Sequence, residues 1–201
     1  MPLKSTFGAG SASGFGAGRG GSDWVSGMTA TGGNAIYTIG DYKVHKFTGP
    51  GTFAVSALGC GSGGGTGGNI VDYIISGGGA SGSRTGGGGG AGGMRFSQFF
   101  TCAPCRAVSA GGTVSATSYP IVIGGGGASV NSDGTIGNPG SPSSFLSLTS
   151  TAGGAASNFA YSNPAGPGGS GGGTAHGGGS GGTGNTPPVS PSQGFPGGTS
   201  A

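Results

Sequence analysis

The residues best placed to do chemistry in this sequence are two cysteines, Cys102 and Cys105, in Thr-Cys-Ala-Pro-Cys-Arg. Their spacing is that of a thioredoxin-type redox pair, but such a pair opens a helix after a strand, and no helical pattern follows here. The pair could also be half of a metal site, completed by Cys60 and by either His45 or His176. Because the chain has only three cysteines, we favour a simpler interpretation without metal, in which a local disulfide or two free thiols stiffen a loop.

Other patterns that look like catalytic or nucleotide-binding motifs follow from the abundance of glycine. Gly59, Gly61 and Gly64 spell G-x-G-x-x-G, but no helical pattern follows them and no acidic residue lies at the ribose-binding distance. The aspartates form no closely spaced acidic pair, and no Gly-x-Ser-x-Gly elbow opens a helix. The sequence therefore predicts a protein that is not an enzyme and that uses no cofactor.

The composition restricts the fold and the partners further. Of 201 residues, 57 are glycine, while 5% are charged and 32% are hydrophobic, so amphipathic helices are not expected. The net charge of +3 is scattered without a basic block, which argues against binding to nucleic acid. The sequence shows neither a signal-peptide pattern nor an apolar run that could span a membrane. We therefore expect synthesis in a cytoplasm and no insertion into a membrane.

Short runs of β-branched and aromatic residues predict strands that lead into glycine. Tyr42–Phe47 and Thr52–Leu58 flank Thr-Gly-Pro-Gly, whose proline and glycine suit a type II turn, so these two runs should pair as a hairpin. Pro120 suits an edge strand or the start of a strand, because it has no N–H, and Phe145 is a candidate core anchor. The further strand candidates are Ile70–Ile75, Met94–Phe100, Val108–Val114, Ser118–Ile123 and Pro142–Thr149.

The long glycine runs allow two interpretations. They are either flexible linkers between strands, or ordered segments whose main chains approach so closely that no side chain would fit. We expect three regions: an extended low-complexity segment at 1–40, a glycine-rich β domain at 41–185, and a Pro/Gly-rich tail or the start of a further region at 186–201. The first region is either a disordered tail or an attachment segment whose spaced aromatic residues become ordered on a partner. Its candidate contacts are Phe7, Phe15 and Trp24.

Six sequence blocks follow one another in an order similar to that seen in a known family. They are YKVHKFTGPGTFAVSALG, VDYIISGGGASG, GGGGGAGG, YPIVIGGGGAS, GSPSSFLSLTSTAGGAAS and GGSGGG. From Tyr42 to about Thr183 the chain resembles the glycine-rich domain of bacteriophage tail fibres and other virion proteins. A more distant similarity is to the glycine-rich region of anaplastic-lymphoma-kinase-type receptors. The resemblance implies an all-β fold, a jelly-roll-like β-sandwich with long glycine-rich loops that pack as polyglycine II helices. Such helices make no internal hydrogen bonds, so their main-chain groups can bond to neighbours.

The same resemblance implies a virion protein, a tail fibre or adhesin that attaches to the phage tail by its N-terminal segment and projects its glycine-rich domain for host recognition. Its expected partners are other tail proteins, further copies of itself in a homotrimer, and a glycan or outer-membrane protein of the host. We expect Phe159, Tyr161 and His176 to contact the receptor, because aromatic groups in a glycine-rich surface can hold a sugar or a protein. The alternatives are a purely structural spacer or joint of the virion, and an accessory module of a secreted enzyme.

Overall fold

The computed structural model describes residues 27–40, 42–59, 68–97, 109–159, 164–175 and 179–200. Within these ranges the fold is all-β, without a helix, as the sequence predicts. The strands are β1 (Thr29–Thr31), β2 (Ala35–Ile39), β3 (Tyr42–Lys46), β4 (Gly51–Ala57), β5 (Ile70–Val71), β6 (Ile74–Ser76), β7 (Met94–Phe96), β8 (Gly112–Thr113), β9 (Ser118–Val122), β10 (Ser143–Phe145) and β11 (Leu148–Ser150).

These strands form one larger sheet and several pairs. The larger sheet has the strand order β1-β4-β9-β10-β11, and the two-stranded sheets are β2-β3, β5-β8 and β6-β7. Pairing is antiparallel between β1 and β4, β9 and β10, β10 and β11, β2 and β3, and β6 and β7. Short antiparallel strands joined by turns are what the short β-branched runs of the sequence predict.

The described residues divide into two compact units. The smaller unit contains those of Met1–Thr31, Ala54–Val71 and Thr113–Ser118, and the larger contains those of Gly32–Phe53, Asp72–Gly112 and Tyr119–Ala201. In the smaller unit β1 pairs with the second half of β4. Its buried hydrophobic residues are small: Ala30, Val55 and Val114.

Phe145 is half-buried and links three aromatic rings of the larger unit. Its ring makes edge-to-face contacts with Phe53, at a centroid distance of 5.8 Å, and with Tyr119, at 6.3 Å. Such contacts stabilise a core beyond the area that they bury. The buried residues beside these rings are Phe53, Tyr73 and Ile121. Phe145 therefore makes aromatic contacts at the edge of the core, and its predicted role as a core anchor stays a prediction.

The predicted hairpin between Tyr42–Phe47 and Thr52–Leu58 is wrong, because β3 pairs with β2 instead. The register runs from Ala35 opposite Lys46 to Ile39 opposite Tyr42, and Gly40 is the turn residue that follows β2. Gly40 has φ 59°, the left-handed conformation that such tight hairpin turns require and that glycine adopts readily. After β3, the Thr48 N–H donates to the side-chain oxygen of Asn34 at 2.7 Å, which holds the chain close to the start of β2.

Two further strand expectations are corrected. Pro142–Thr149 is a tight hairpin of β10 and β11 rather than one strand, with Leu146 at φ 57° in the turn. The strand that contains Pro120 lies between β4 and β10 in the strand order and is not an edge. The proline is tolerated because β10 pairs only with Ile121 and Val122, which follow it.

Regular structure and packing extend beyond both ends of residues 41–185. Two strands, β1 and β2, precede residue 41, so strand structure begins within the expected N-terminal segment. At the other end, Gln193 is 1% exposed and its carbonyl accepts a hydrogen bond from the Met94 N–H. The described residues after 185 therefore belong to the larger unit.

Candidate functional site

The glycine-rich segments of the larger unit lie side by side and are joined by main-chain hydrogen bonds. We call this set of segments the glycine bundle. Its members are residues 77–83, 86–93, 123–128, 136–142, 151–158, 164–167, 168–175, 181–186 and 193–200.

The hydrogen bonds of the bundle recur at every third residue. Segment 77–83 bonds to segment 86–93 through donors at 77, 80 and 83 and acceptors at 93, 90 and 87, with N···O distances of 2.8–3.2 Å. Segment 86–93 bonds to segment 151–158 in the same way, through donors at 87, 90 and 93 and acceptors at 157, 154 and 151. A repeat of three residues per turn is that of polyproline II, which polyglycine II resembles. The glycine runs that belong to the bundle are therefore ordered segments and not flexible linkers.

Glycine is required inside the bundle by lack of space. A Cβ atom at Gly90 would overlap the carbonyl oxygen of Ser170, and one at Gly153 would overlap the carbonyl oxygen of Gly90. Neither glycine has a positive φ, so the requirement comes from close main-chain packing and not from backbone conformation. Gly88, by contrast, is exposed, and a Cβ there would meet nothing within 4 Å. The same glycine run thus contains positions that tolerate a side chain and positions that do not.

Segment 151–158 is the centre of the bundle. Hydrogen bonds join it to five other segments: 77–83, 86–93, 136–142, 164–167 and 168–175. Ala156 is 1% exposed, and Ser157 and Asn158 are each 3% exposed. The main-chain N–H and C=O groups of this segment are hydrogen-bonded to neighbouring segments on nearly all sides. The bundle is therefore a rigid support for the loops that join its segments.

Several of these loops meet at the end of the bundle that is remote from β6 and β7, which we call the loop end. There, Arg84 donates from its guanidinium to the Asn131 carbonyl at 3.1 Å and lies 3.6 Å from the Asp133 carboxylate. The Ser83 hydroxyl donates to the Thr135 carbonyl at 2.9 Å. Two loops, at residues 84–86 and 129–135, are therefore joined to each other.

The ends of two further segments lie at the loop end. The Asn158 side-chain amide donates to the Gly134 carbonyl, and the Ala175 N–H donates to the Ser157 hydroxyl at 2.8 Å. Segments 151–158 and 168–175 therefore both finish beside the loop that contains Gly134. Phe159 follows immediately and is 53% exposed.

Of the residues predicted to contact a receptor, Phe159 is described, and it lies at the loop end. The other predicted functional residues are outside the described ranges: Tyr161, His176, Phe7, Phe15, Trp24, Cys102 and Cys105. Sequence reasoning did not select Arg84 or Asp133 as functional. The available signal was the turn chemistry of Asn131-Ser-Asp-Gly, which predicts a surface loop but not its partner.

The loop end offers carbonyl groups, amides, hydroxyls, one exposed ion pair and an exposed aromatic ring, a set that suits non-covalent binding. His45, considered above as a metal ligand, is used elsewhere: its Nδ1 is 2.7 Å from the Gly32 carbonyl and its ring packs on Phe53. Within the described ranges, no group of three or more His, Cys, Asp or Glu residues could hold a metal ion. Nor does the described part of the chain contain a helix with the length and hydropathy needed to cross a bilayer.

Comparison with known proteins gives one match. The glycine-rich domain family matches residues 66–201, which include every segment of the glycine bundle. No curated protein and no solved structure matches the chain. Because the match covers more than half of its length, the chain belongs to the glycine-rich domain family.

Proposed function

We propose that this protein is a bacteriophage virion component, a tail fibre or adhesin whose glycine bundle presents loops to the surface of the host cell. The observation that carries the proposal is the convergence of loops at one end of a bundle whose segments are held by main-chain hydrogen bonds. Loops on a rigid support are a recurrent way to build a binding surface. The order of the glycine-rich blocks, which resembles that of tail fibre domains, supports the same function.

The chemistry of the loop end favours a glycan or a surface protein as the ligand. Phe159 offers an exposed ring on which a sugar or an apolar side chain can pack, and aromatic rings contribute large contact areas. Arg84 and Asp133 are 57% and 64% exposed, so they remain accessible for hydrogen bonds to a ligand. In this proposal the N-terminal segment, with Phe7, Phe15 and Trp24, attaches the protein to other tail proteins.

The first test asks where on the phage particle the protein is located. Antibodies raised against the purified chain are used for immunogold electron microscopy of phage particles from a culture that produces the protein. We expect the label at the tail. Label on cells or in the soluble fraction, with unlabelled particles, would contradict the virion proposal and would favour a module of a secreted or cell-surface protein.

The second test measures the binding role of the loop end. The fluorescently labelled full chain is titrated onto cells of the host, and the variant Phe159→Ser is compared with the wild type. We expect the variant to bind at least about tenfold more weakly, because the loss of a central aromatic contact commonly costs more than 1.4 kcal/mol.

Phe195→Ser is the matched control. Phe195 is also exposed, at 66%, but its carbonyl accepts from the Gly171 N–H, at the end of the bundle near Gln193 and Met94. We expect this control to bind like the wild type. Equal binding by both variants and the wild type would refute the receptor site at Phe159, and a wild type that does not bind to cells would favour the purely structural spacer.

A further inference from the structure

The loop at residues 129–135 contains the pair Asp133-Gly134, a sequence that can rearrange without an enzyme. The main-chain nitrogen that follows an aspartate can attack the side-chain carboxyl carbon and close a five-membered ring, and glycine hinders this attack least because it has no side chain. With glycine at 57 of 201 positions, about three of the 11 Asn and Asp residues would precede a glycine by chance, whereas Asp133 alone does. The sequence therefore offers this reaction at one place in the chain.

The structure leaves the Gly134 nitrogen open to the reaction. All residues from 131 to 136 are exposed, and Asp133 and Gly134 lie in a turn. Gly134 has φ 75°, and a Cβ atom there would meet nothing within 4 Å, so no neighbouring segment packs against it. Among the main-chain hydrogen bonds of the described residues, none uses the Gly134 N–H. The nitrogen that must lose its proton is therefore accessible to water.

The ion pair with Arg84 restrains the Asp133 side chain only weakly. The two side chains are 57% and 64% exposed, and the Arg84 Nε atom lies 3.6 Å from the Asp133 carboxylate. Exposed ion pairs of this kind contribute little stability, because water competes for both charges. The carboxyl group of Asp133 can therefore turn towards its own main chain, as ring closure requires.

We propose that Asp133 converts to isoaspartate in the folded protein. The Gly134 nitrogen gives up its proton and forms a bond to Cγ of Asp133, while a carboxyl oxygen leaves as water. A second water molecule then opens the ring. Its addition at Cγ restores aspartate, whereas its addition at the main-chain carbonyl carbon breaks the bond from that carbon to the Gly134 nitrogen and leaves the chain running through Cβ and Cγ. One water is released and one is consumed, so the mass is unchanged and no oxidant or reductant is needed.

The rearrangement would alter the loop end. An isoaspartate adds one carbon atom to the main chain and shortens the carboxylate side chain by one carbon. Two contacts flank this residue: the ion pair of Asp133 with Arg84, and the hydrogen bond from the Asn158 side-chain amide to the Gly134 carbonyl. A main chain of different length cannot keep both in their present geometry. We therefore expect binding to host cells to decline as isoaspartate accumulates, a consequence that rests on the proposed function.

Asp72 is the internal control for the modification itself. It is also exposed, but it precedes Tyr73, whose N–H donates to the Ser97 hydroxyl oxygen at 3.0 Å. The Asp72 carboxylate in turn accepts from the same Ser97 hydroxyl at 2.5 Å. Both groups that would have to react at Asp72 are therefore held by hydrogen bonds, and the side chain of Tyr73 adds hindrance that glycine lacks.

The test ages the purified full chain for several weeks in mildly acidic buffer at physiological temperature. The chain is then denatured and digested with an endoproteinase that cleaves before aspartate but not before isoaspartate. We expect cleavage before Asp133 to be lost at least about tenfold faster than cleavage before Asp72, because glycine leaves the attacking nitrogen unhindered. Electron-transfer fragmentation of the uncleaved product should locate the additional main-chain carbon at residue 133.

A parallel sample aged in guanidinium chloride tests the structural part of the proposal. We expect the folded and denatured chains to lose cleavage before Asp133 at similar rates. Loss in the denatured chain alone would overturn the proposal, because the folded loop would then protect the site. Equal loss before Asp133 and Asp72 in the folded chain would overturn it as well, since the reaction would not be specific to this loop.

Asp133→Glu is the matched control for binding to cells. Glutamate keeps the carboxylate but would have to close a six-membered ring, which is much slower, so the aged variant should bind as it did when fresh. The aged wild type should lose binding in proportion to its isoaspartate content. Unchanged binding of a fully converted wild type would refute the effect on the loop end. A fresh wild type that does not bind would refute the proposed function instead, while the digestion still decides whether isoaspartate forms.

Discussion

Substitution of Gly90 by alanine is the most direct test of the glycine bundle. A Cβ atom at this position would overlap the Ser170 carbonyl oxygen and would lie 2.9 Å from both the Gly154 nitrogen and the Gly171 oxygen. All of these are main-chain atoms of other segments, so no flexible side chain can move aside. The methyl group can be accommodated only if segments 86–93, 151–158 and 168–175 separate.

The expected cost follows from what that separation disrupts. Overpacking of a close-packed interior typically costs about 1–3 kcal/mol. The Gly90 N–H donates to the Gly154 carbonyl and the Gly154 N–H donates to the Ser170 carbonyl, both at 2.9 Å, and each lost bond adds about 1 kcal/mol. We therefore expect Gly90→Ala to lower the free energy of unfolding by about 3–5 kcal/mol, which for a chain of this length lowers Tm by on the order of 10 °C.

Gly88→Ala is the control for this prediction, two residues away in the same run. Its new methyl group would point into open space, and Gly88 does not have the positive φ that disfavours side chains. Alanine also restricts the unfolded chain more than glycine does, so we expect a gain of about 0.4–1 kcal/mol. Both variants are measured by urea denaturation, followed by circular dichroism, and by calorimetry.

The decisive result is that the free energy of unfolding should fall in Gly90→Ala and rise in Gly88→Ala. If Gly90→Ala changes the free energy of unfolding by less than about 0.5 kcal/mol, the range of ordinary surface substitutions, then the segments are not packed as described. Equal effects at both positions would mean that glycine is present for flexibility and not for space.

Three further predictions concern the bundle and the core. In native-state hydrogen exchange, the amide of buried Gly154 should exchange on the order of a thousandfold more slowly than that of exposed Gly88; similar rates would indicate a fluid bundle. Phe145→Leu should cost about 1–2 kcal/mol, measured by denaturation, because it removes both edge-to-face contacts; no cost would reject its anchoring role. Gln193→Ala should cost about 2–3 kcal/mol in the same assay, since its side chain accepts from the Thr151 N–H and donates to the Thr151 hydroxyl; Gln193→Glu should not restore that donor bond, and full stability of either variant would show that these bonds contribute little.

The sequence predicted the strands better than their pairing. Ser118–Ile123 was predicted as a strand and β9 covers Ser118–Val122, because the run is β-branched and aromatic. Pro50 and Gly51 correctly indicate a change of direction, but they do not indicate which strand lies alongside β3. The turn at Leu146 could not be foreseen, since leucine rarely adopts φ 57° and nothing local indicates it.

The order in the glycine runs could be stated only as one of two alternatives from the sequence. In Gly86–Gly90 every residue is the same, so the three-residue repeat that separates buried Gly87 and Gly90 from exposed Gly88 cannot be read from residue types. Phe159 was selected from the sequence because it is an aromatic residue in a glycine-rich region, and its contact with a receptor stays a prediction. The hydrogen bonds from Arg84 to Asn131 and from Asn158 to Gly134 join segments far apart in sequence, which residue patterns do not encode.

The make-up of the central segment 151–158 has a thermal consequence. This buried segment consists largely of glycine, alanine and serine, and its main-chain amides are hydrogen-bonded to neighbouring segments. It therefore buries little apolar side-chain surface. Exposure of apolar surface raises the heat capacity on unfolding and exposure of amide surface lowers it. The bundle should therefore unfold with a heat-capacity increment below the usual value of about 12–15 cal/mol/K per residue. A small heat-capacity increment flattens the curve of unfolding free energy against temperature. The protein should therefore keep more of its stability, both in the cold and on warming, than a domain of equal size with a core of large apolar side chains.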